Sequence, residues 1–522
     1  MRRISVIFFI LSLFSHAVAQ NPSWAKKAAN AVFTLKTFKA DGTLLASSNG
    51  FFISETGVAV SSFTPFKDAH RAVIIDAQGK EWPVEGIIAA NDMYDVAKFQ
   101  VDVKKPTALT VAQTPAMNGA KVWLLPYSTK KEPACTPGTI SNAEQFQNNY
   151  TYYTMSMTAS EQQLSSPIMN DGGEVIGLLQ PSADNQATSS YAVSARFVAD
   201  MTMTALGLND PTLRSTHIAK VIPEKYEDAV LSLFMGATVM EAGAYDNYVN
   251  RFIEKFPNKA DGYIYRARQA AAKGDFAHAD EAMKQAIKVA DQKDDAHFQY
   301  AQTIYQKEIY QSDQPYEGWT LDRALEESKE AHSINPLPIY RQQQAQILYA
   351  QQKYDEAFGI YEELAKTELR SADNFFAAAQ CKLQKDDKKA AMAQLDSAVS
   401  MFSRPYIKTA APYLRVRAQL SMDIRRFQQA INDMQDLVAI EPNDAMLWAE
   451  KASYELRVNL FDQALESAQE CLRLDPEGSD GYLMSGIAQC AKGNKQEGMK
   501  NLQKAKELGN SQAQTFIDKY SN

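Results

Sequence analysis

The strongest constraint in this 522-residue chain is a small residue that recurs every 34 positions near the carboxyl terminus. Ala430, Ala464 and Gly498 occupy that position, and other residues keep the same register around it. Aromatic residues stand three positions before it, at Phe427 and Phe461, and prolines stand twelve positions after it. A period of 34 is typical of units built from two packed helices. The small side chain lets the two helices of a unit approach closely, and the proline ends the second helix.

The same small residue can be followed towards the amino terminus, at Ala391, Ala357, Ala324 and Ala279. Two longer connections interrupt the register, and the earliest unit is shortened. The pattern resembles the tetratricopeptide repeat over residues 226–512, with about eight helical pairs. The resemblance implies an all-α solenoid in the carboxyl-terminal part of the chain.

The first helices of such units are expected to line a concave groove, which suits a peptide or the surface of another protein. Residues in groove register carry amide, guanidinium or phenol groups, which hydrogen-bond an extended backbone or an acidic tail without a deep pocket. These candidates are Tyr265, Arg268, Gln342, Gln346, Tyr349, Arg415 and Gln419. We therefore expect a protein or peptide partner at the groove. A solvated helix face without a ligand is the alternative at each single position.

The amino-terminal part of the chain has a different periodicity. Short apolar or alternating runs, separated by Gly, Pro, Asn and Asp, lie between Ala31 and about Tyr191. Many short strands separated by turn signals predict an all-β barrel or sandwich. After Pro211 the strand signals end and alanine-rich helical periodicity begins. We expect a β domain over residues 21–205, followed by a linker over residues 206–225.

Several segments of the β domain follow one another in a familiar order. They read SNGFFISETGVAVSSFTPF, YDVAKF, QQLSSP and YAVSARFVADM. Their order and spacing resemble the trypsin-like serine proteases, and particularly the HtrA-type branch, along nearly the whole domain. The resemblance implies a double β barrel and a chemistry that needs no metal or cofactor.

The positions that match the family's catalytic triad carry Thr64, Asp95 and Leu164. The family's GNSGGP loop appears as QQLSSP, which places Leu164 at the nucleophile and Gln162 at the oxyanion glycine. A serine protease needs a hydroxyl nucleophile, an imidazole base and a carboxylate that orients the base. Threonine cannot act as a general base near neutral pH, so Asp95 has nothing to orient. We therefore interpret the domain as a pseudoprotease that binds proteins or serves as a scaffold.

A rearranged active site is the rival hypothesis. Ser165 and Ser166 are adjacent hydroxyls that could replace the nucleophile, and the repeats would then recruit substrate to an active endopeptidase. His70 is the one histidine between residues 21 and 205. It lies six residues beyond Thr64, and we expect it outside hydrogen-bond reach of the serines. A third alternative is that both regions are structural parts of a larger assembly with no peptide ligand.

The first nineteen residues have the pattern of a secretory signal peptide. Two arginines precede an apolar run, and the run ends at Ala17-Val18-Ala19. The run is too short to span a bilayer, and no later stretch is long enough. We expect residues 1–19 to be removed and the remaining chain to be exported and soluble, in the periplasm where the cell has two membranes.

Charge and composition argue against several other functions. The net charge of −8 disfavours non-specific nucleic-acid binding. The four cysteines show no metal-binding spacing, and we expect them to be core residues. A disulfide between Cys471 and Cys490 stays open, because export permits oxidation. The chain has no phosphate-binding GxxxxGKS and no HExxH motif, so we expect neither a cofactor nor a metal.

Overall fold

The computed structural model describes residues 21–130, 133–147, 149–182 and 189–521. The predicted signal peptide, residues 1–19, lies outside the described residues. The chain divides into two compact units, one ending at Arg266 and the other beginning at Ala267. Among the described residues, no helix is both long enough and apolar enough to cross a membrane.

Six antiparallel strands form the first barrel, in the order β1-β2-β3-β6-β5-β4. A short helix, α1 (Ala25–Ala28), precedes them. The strands are β1 (Val32–Phe38), β2 (Leu44–Phe52), β3 (Val58–Ser61), β4 (Arg71–Ile75), β5 (Glu81–Asn91) and β6 (Val96–Val101). Aromatic rings fill the interior, where Phe99 lies 6.2 Å from Phe33 and 5.1 Å from Phe66 between ring centroids. The burial of these rings provides much of the apolar area that stabilises the barrel.

Six further strands form the second barrel, in the order β10-β11-β12-β9-β8-β7. They are β7 (Lys121–Leu124), β8 (Thr136–Phe146), β9 (Tyr150–Met155), β10 (Pro167–Asn170), β11 (Val175–Gln180) and β12 (Ser190–Ser194), followed by helix α2 (Ala195–Asp200). An apolar cluster joins the two barrels, with Phe51 and Val60 from the first and Trp123 and Leu178 from the second. The prediction of an all-β double barrel is confirmed.

The segment that we predicted as a linker, residues 206–225, packs against the first barrel. It contains a short helix, α3 (Pro211–Arg214). The Ile87 N–H of β5 donates to the Ala219 carbonyl at 2.8 Å, and the Val221 N–H donates to the Ile87 carbonyl at 3.0 Å. These two bonds add a short parallel bridge to the barrel. Backbone pairing therefore holds the segment in place.

The rest of the described chain is helical, in eight pairs and a final single helix. The pairs are α4 (Tyr226–Val239) with α5 (Ala242–Lys255), α6 (Ala260–Ala272) with α7 (Phe276–Val289), α8 (Lys293–Tyr310) with α9 (Leu321–Ile334), α10 (Pro338–Ala350) with α11 (Tyr354–Leu364), α12 (Ala372–Gln384) with α13 (Lys388–Ser400), α14 (Ala411–Asp423) with α15 (Phe427–Ile440), α16 (Ala445–Arg457) with α17 (Phe461–Leu474), and α18 (Ser479–Ala491) with α19 (Lys495–Glu507), before α20 (Ala513–Ser521). The division between the two compact units falls inside α6. The predicted all-α, solenoid-like region is confirmed.

The recurring small residues lie where the two helices of a pair meet. The alanines at positions 279, 324, 357, 391, 430 and 464 are all fully buried. A side chain at Gly498 would collide with the Cys490 sulfur and with the backbone of Gly486. Close helix approach therefore explains the repeat period physically. Cys471 and Cys490 are buried free thiols, so the disulfide that the sequence left open is not formed.

Candidate functional site

The first part of the site joins Thr64 to Asp95. Thr64 begins a short 3-10 turn that ends at Phe66, and its backbone N–H donates to the Asp95 carboxylate at 2.6 Å. Asp95 adopts a φ of 46°, a conformation uncommon for residues other than glycine. The structure thus brings together the residues predicted at the histidine and aspartate positions. The carboxylate accepts a hydrogen bond from a main-chain amide, and no imidazole among the described residues bonds to it.

The second part of the site is a 3-10 turn over Glu161–Gln163 that ends at Leu164. The Leu164 N–H donates to the Glu161 carbonyl at 3.2 Å. Ser160 and Gln163 cap this turn reciprocally, because the Ser160 N–H donates to the Gln163 side chain at 2.9 Å. The Leu164 side chain is half-buried against the core of the second barrel. The amide at the predicted nucleophile position is therefore engaged inside the turn.

Ser165 lies at the centre of a buried serine cluster. Its side chain is fully buried and donates to the Ser62 hydroxyl at 2.8 Å. The Ser48 hydroxyl lies 3.0 Å away, and the Ser62 N–H donates to the same Ser165 oxygen at 3.2 Å. The φ of Ser165 is 65°, in the left-handed region that favours glycine. The GNSGGP loop of the trypsin-like proteases has a glycine at this position. All of these partners are serines.

The neighbouring hydroxyl, Ser166, is also fully buried. Its oxygen has no hydrogen-bond partner within the described residues. His70, the one histidine that the rival hypothesis offers as a base, stacks on His217 with ring centroids 4.0 Å apart. The backbone N–H of His70 donates to the Phe38 carbonyl at 2.9 Å.

Asn49 ties this loop to the first barrel. Asn49 lies on β2 and is 7% exposed, and its amide donates to the Gln162 carbonyl at 2.7 Å and to the Leu164 carbonyl at 3.0 Å. The Asn49 carbonyl accepts from the buried Ser61 hydroxyl. The candidate loop is therefore fixed from both barrels. Sequence reasoning missed Asn49, Ser48 and Ser62, because their contacts join residues more than one hundred positions apart.

A cavity of about 1370 Å³ lies elsewhere in the first unit. Its lining includes Val58, Lys98, Met203 and Arg251, and it includes none of the residues predicted at the triad positions. Burial lowers the pKa of the Lys98 ammonium, and nearby Asp200 opposes that shift. The cavity therefore does not correspond to the cleft of a serine protease.

The predicted groove residues lie on first helices, and several of them bond the next first helix. Gln342 donates to Asn374 at 2.8 Å. Arg415 donates to Glu450 at 2.6 Å. Gln419 accepts from the Tyr454 hydroxyl at 2.9 Å.

The other groove candidates have different surroundings. Tyr265 packs against the apolar cluster of α4 and α5. Arg268 donates to Gln299. The ring of Tyr349 lies 5.3 Å from that of Tyr354, whereas Gln346 is exposed.

Comparison with known proteins relates part of the first unit to a known family. Residues 48–178 match the family model described as a trypsin-like peptidase domain. The first unit therefore contains a trypsin-like peptidase domain. Among solved structures, the chain is similar to the active form of the Rv3671c protease from M. tuberculosis, with 18% identity, a TM-score of 0.30, and coverage of 35% of this chain and 85% of that one. It is also similar to the HtrA-type protease AlgW with tripeptide, with 18% identity, a TM-score of 0.29, and coverage of 34% of this chain and 62% of that one.

The chain is also similar to a curated protein that is named for its tetratricopeptide repeats. It is the small glutamine-rich tetratricopeptide repeat-containing protein 2 of Saccharomyces cerevisiae, which is 25% identical over 101 residues. The match covers 19% of this chain and 29% of the relative, so the chain spans under a third of that relative's length. The likeness supports tetratricopeptide-like repeats beyond the trypsin-like domain.

Proposed function

We propose that this chain is an exported, non-catalytic protein, in which a trypsin-like domain without proteolytic chemistry carries repeats that bind proteins or peptides. The observation that carries the proposal is the 3-10 turn that ends at Leu164. In acyl transfer, backbone N–H groups at the nucleophile loop stabilise the oxyanion. Here the Leu164 N–H already donates to Glu161, and the side chain at that position has no hydroxyl.

The surroundings of the serines support the same conclusion. Serine becomes a nucleophile only when a base accepts its proton, and the described partners of Ser165 are other serines and one backbone amide. The one imidazole of the trypsin-like domain stacks on His217. The Asp95 carboxylate accepts from the Thr64 main-chain N–H, and neither residue supplies the imidazole that takes the proton of a serine nucleophile.

The repeats support the binding part of the proposal. Stacked helical pairs present successive first helices side by side, which gives an extended surface for a peptide or a protein partner. The predicted signal peptide supports export. We place the partner on the first-helix face, where Gln342, Gln346, Arg415 and Gln419 lie.

A fluorophosphonate probe tests the catalytic part of the proposal, because the probe labels only activated serines. We expect the intact mass of the purified chain to stay unchanged after incubation with the probe, while trypsin in a parallel sample is labelled fully. A mass increase that disappears in Ser165→Ala or Ser166→Ala would establish the rearranged protease instead.

A further inference from the structure

The cavity of about 1370 Å³ in the first unit is lined by both the first barrel and the first helical pair. Strands β3, β5 and β6 contribute on the barrel side, and α5 contributes on the helical side. Residues 201–204 and 219–225 supply the rest of the lining, together with the first turn of α4. Ligand pockets commonly measure about 300–1,000 Å³, so this cavity has room for an extended small molecule.

The less exposed part of the lining is largely apolar. Val58, Ile88 and Val221 are half-buried, and Met203 and Ile222 are buried. Methionine side chains adapt their shape to what they contact. An apolar chain that enters this cavity leaves water for an apolar surface, which is favourable in proportion to the area covered.

Lys98 places a positive charge in this lining. It lies on β6 and is half-buried, and its ammonium donates to the carbonyls of Ala199 and Met201. These two bonds fix the position of the ammonium. Burial lowers the pKa of Lys98, because water solvates the charge less well there. A bound anion would restore part of that lost stabilisation of the charge.

Arg251 adds a second positive charge from α5, where it is half-buried. A Cβ atom at Gly86 would lie 3.3 Å from the Nη2 atom of Arg251 and 2.8 Å from the Ala219 carbonyl oxygen. The guanidinium therefore lies against the backbone of β5, at a position that a larger residue would crowd. A guanidinium binds a carboxylate or a phosphate through two parallel hydrogen bonds.

The other charged residues of the lining are of both signs. The exposed ones are Glu85, Glu224, Lys225, Glu254 and Lys255. Glu224 and Lys255 pair with each other at 2.7 Å, and salt screens exposed charges strongly. Asp228 is half-buried, but it lies in the first turn of α4, where the helix dipole already stabilises a carboxylate. The half-buried charges are therefore two cations and one carboxylate.

We propose that this cavity binds a small amphiphile that has one anionic head and an apolar chain. The head, a carboxylate or a phosphate, contacts Arg251 and Lys98. The chain packs against the apolar residues of β3 and β5. Because the lining comes from the barrel and from α5, the bound ligand contacts both the trypsin-like domain and the first helical pair. The site lies apart from the triad positions and needs no catalytic serine.

Isothermal titration calorimetry on the full chain tests the recognition of the head. The ligands are decanoate, decyl phosphate and uncharged decanol, which share one chain length. We expect the better of the two anions to bind at least about tenfold more tightly than decanol, because hydrogen bonds between charged groups are strong. Arg251→Gln is expected to weaken binding of that anion about tenfold and to leave decanol within about twofold. The matched control is Arg473→Gln, which removes an exposed arginine of α17 and is expected to change neither ligand.

A second pair of variants tests the position of the chain. Ile88→Trp places an indole in the cavity, and we expect it to weaken binding of the anion and of decanol alike, by about tenfold. Leu44→Trp is the matched control, because Leu44 is an exposed residue of the same barrel outside the cavity lining. Circular dichroism verifies that each variant is folded.

Four results would overturn the proposal. They are no binding of either anion, equal affinity of the unmodified chain for decanol and the anions, equal loss in Arg251→Gln and Arg473→Gln, and equal loss in Ile88→Trp and Leu44→Trp. Binding of decanoate in preference to decyl phosphate, or the reverse, identifies the head group and supports the site in either case.

Discussion

A chain that carries both Thr64→His and Leu164→Ser is expected to hydrolyse casein about 10²–10³ more slowly than a chain that also carries Gln162→Gly, Ser165→Gly and Ser166→Gly. The two substitutions return the imidazole and the hydroxyl to the predicted triad positions, beside the Asp95 that is already present. They leave the Leu164 N–H bonded to Glu161 inside the 3-10 turn. The loss of one oxyanion donor costs about 10²–10³ in rate, and the turn withholds such a donor.

The loop itself provides the matched comparison. Adding Gln162→Gly, Ser165→Gly and Ser166→Gly to the double variant restores the three glycines of the GNSGGP loop of the trypsin-like proteases. We expect only this fuller variant to take up a fluorophosphonate probe. Circular dichroism verifies that each variant is folded. Casein hydrolysis by the double variant at a rate within about tenfold of trypsin would show that the turn does not restrict catalysis.

The second large effect concerns a buried ion pair in the repeats. Arg417 on α14 donates twice to Asp433 on α15, at 2.6 and 2.9 Å, and the side chains are 12% and 1% exposed. Burial raises the pKa of Asp433, and Arg417 opposes that shift. Asp433→Ala leaves the guanidinium with Asp396 as its remaining partner, at 3.2 Å. We expect the free energy of unfolding to fall by about 3 kcal/mol.

Urea denaturation followed by circular dichroism measures this effect. Asp462→Ala is the matched control, because Asp462 is 82% exposed and pairs with Lys492, and its loss is expected to cost below about 1 kcal/mol. The double variant Arg417→Met with Asp433→Leu is expected to be more stable than Asp433→Ala, since it leaves no buried charge unpaired. Equal losses for Asp433→Ala and Asp462→Ala would contradict this account of the pair.

The sequence predicted those parts of the structure that depend on local spacing. The 34-residue register of Ala430 and Ala464 predicted helix contacts that are buried in the structure. The alternating runs between turns predicted an all-β barrel or sandwich, and the resemblance to trypsin-like proteases implied the double barrel.

Long-range contacts are the part that the sequence did not reveal. Asn49 reaches Leu164 across 115 positions, and Ser62 reaches Ser165 across 103. No local pattern encodes such pairs, because they depend on how the two barrels meet. The pairing of residues 219–221 with β5 is also a long-range contact that the sequence did not reveal. These three residues are too few to show the alternating pattern of a strand.

Binding without cleavage is the central claim, and one measurement tests it directly. Fluorescein-labelled β-casein, a natively unfolded chain, is mixed with the full-length protein, and its anisotropy and mass are followed over hours. We expect the anisotropy to rise on mixing and to stay high while the casein mass remains intact. An anisotropy that never rises, or one that falls as casein fragments appear, would contradict the account.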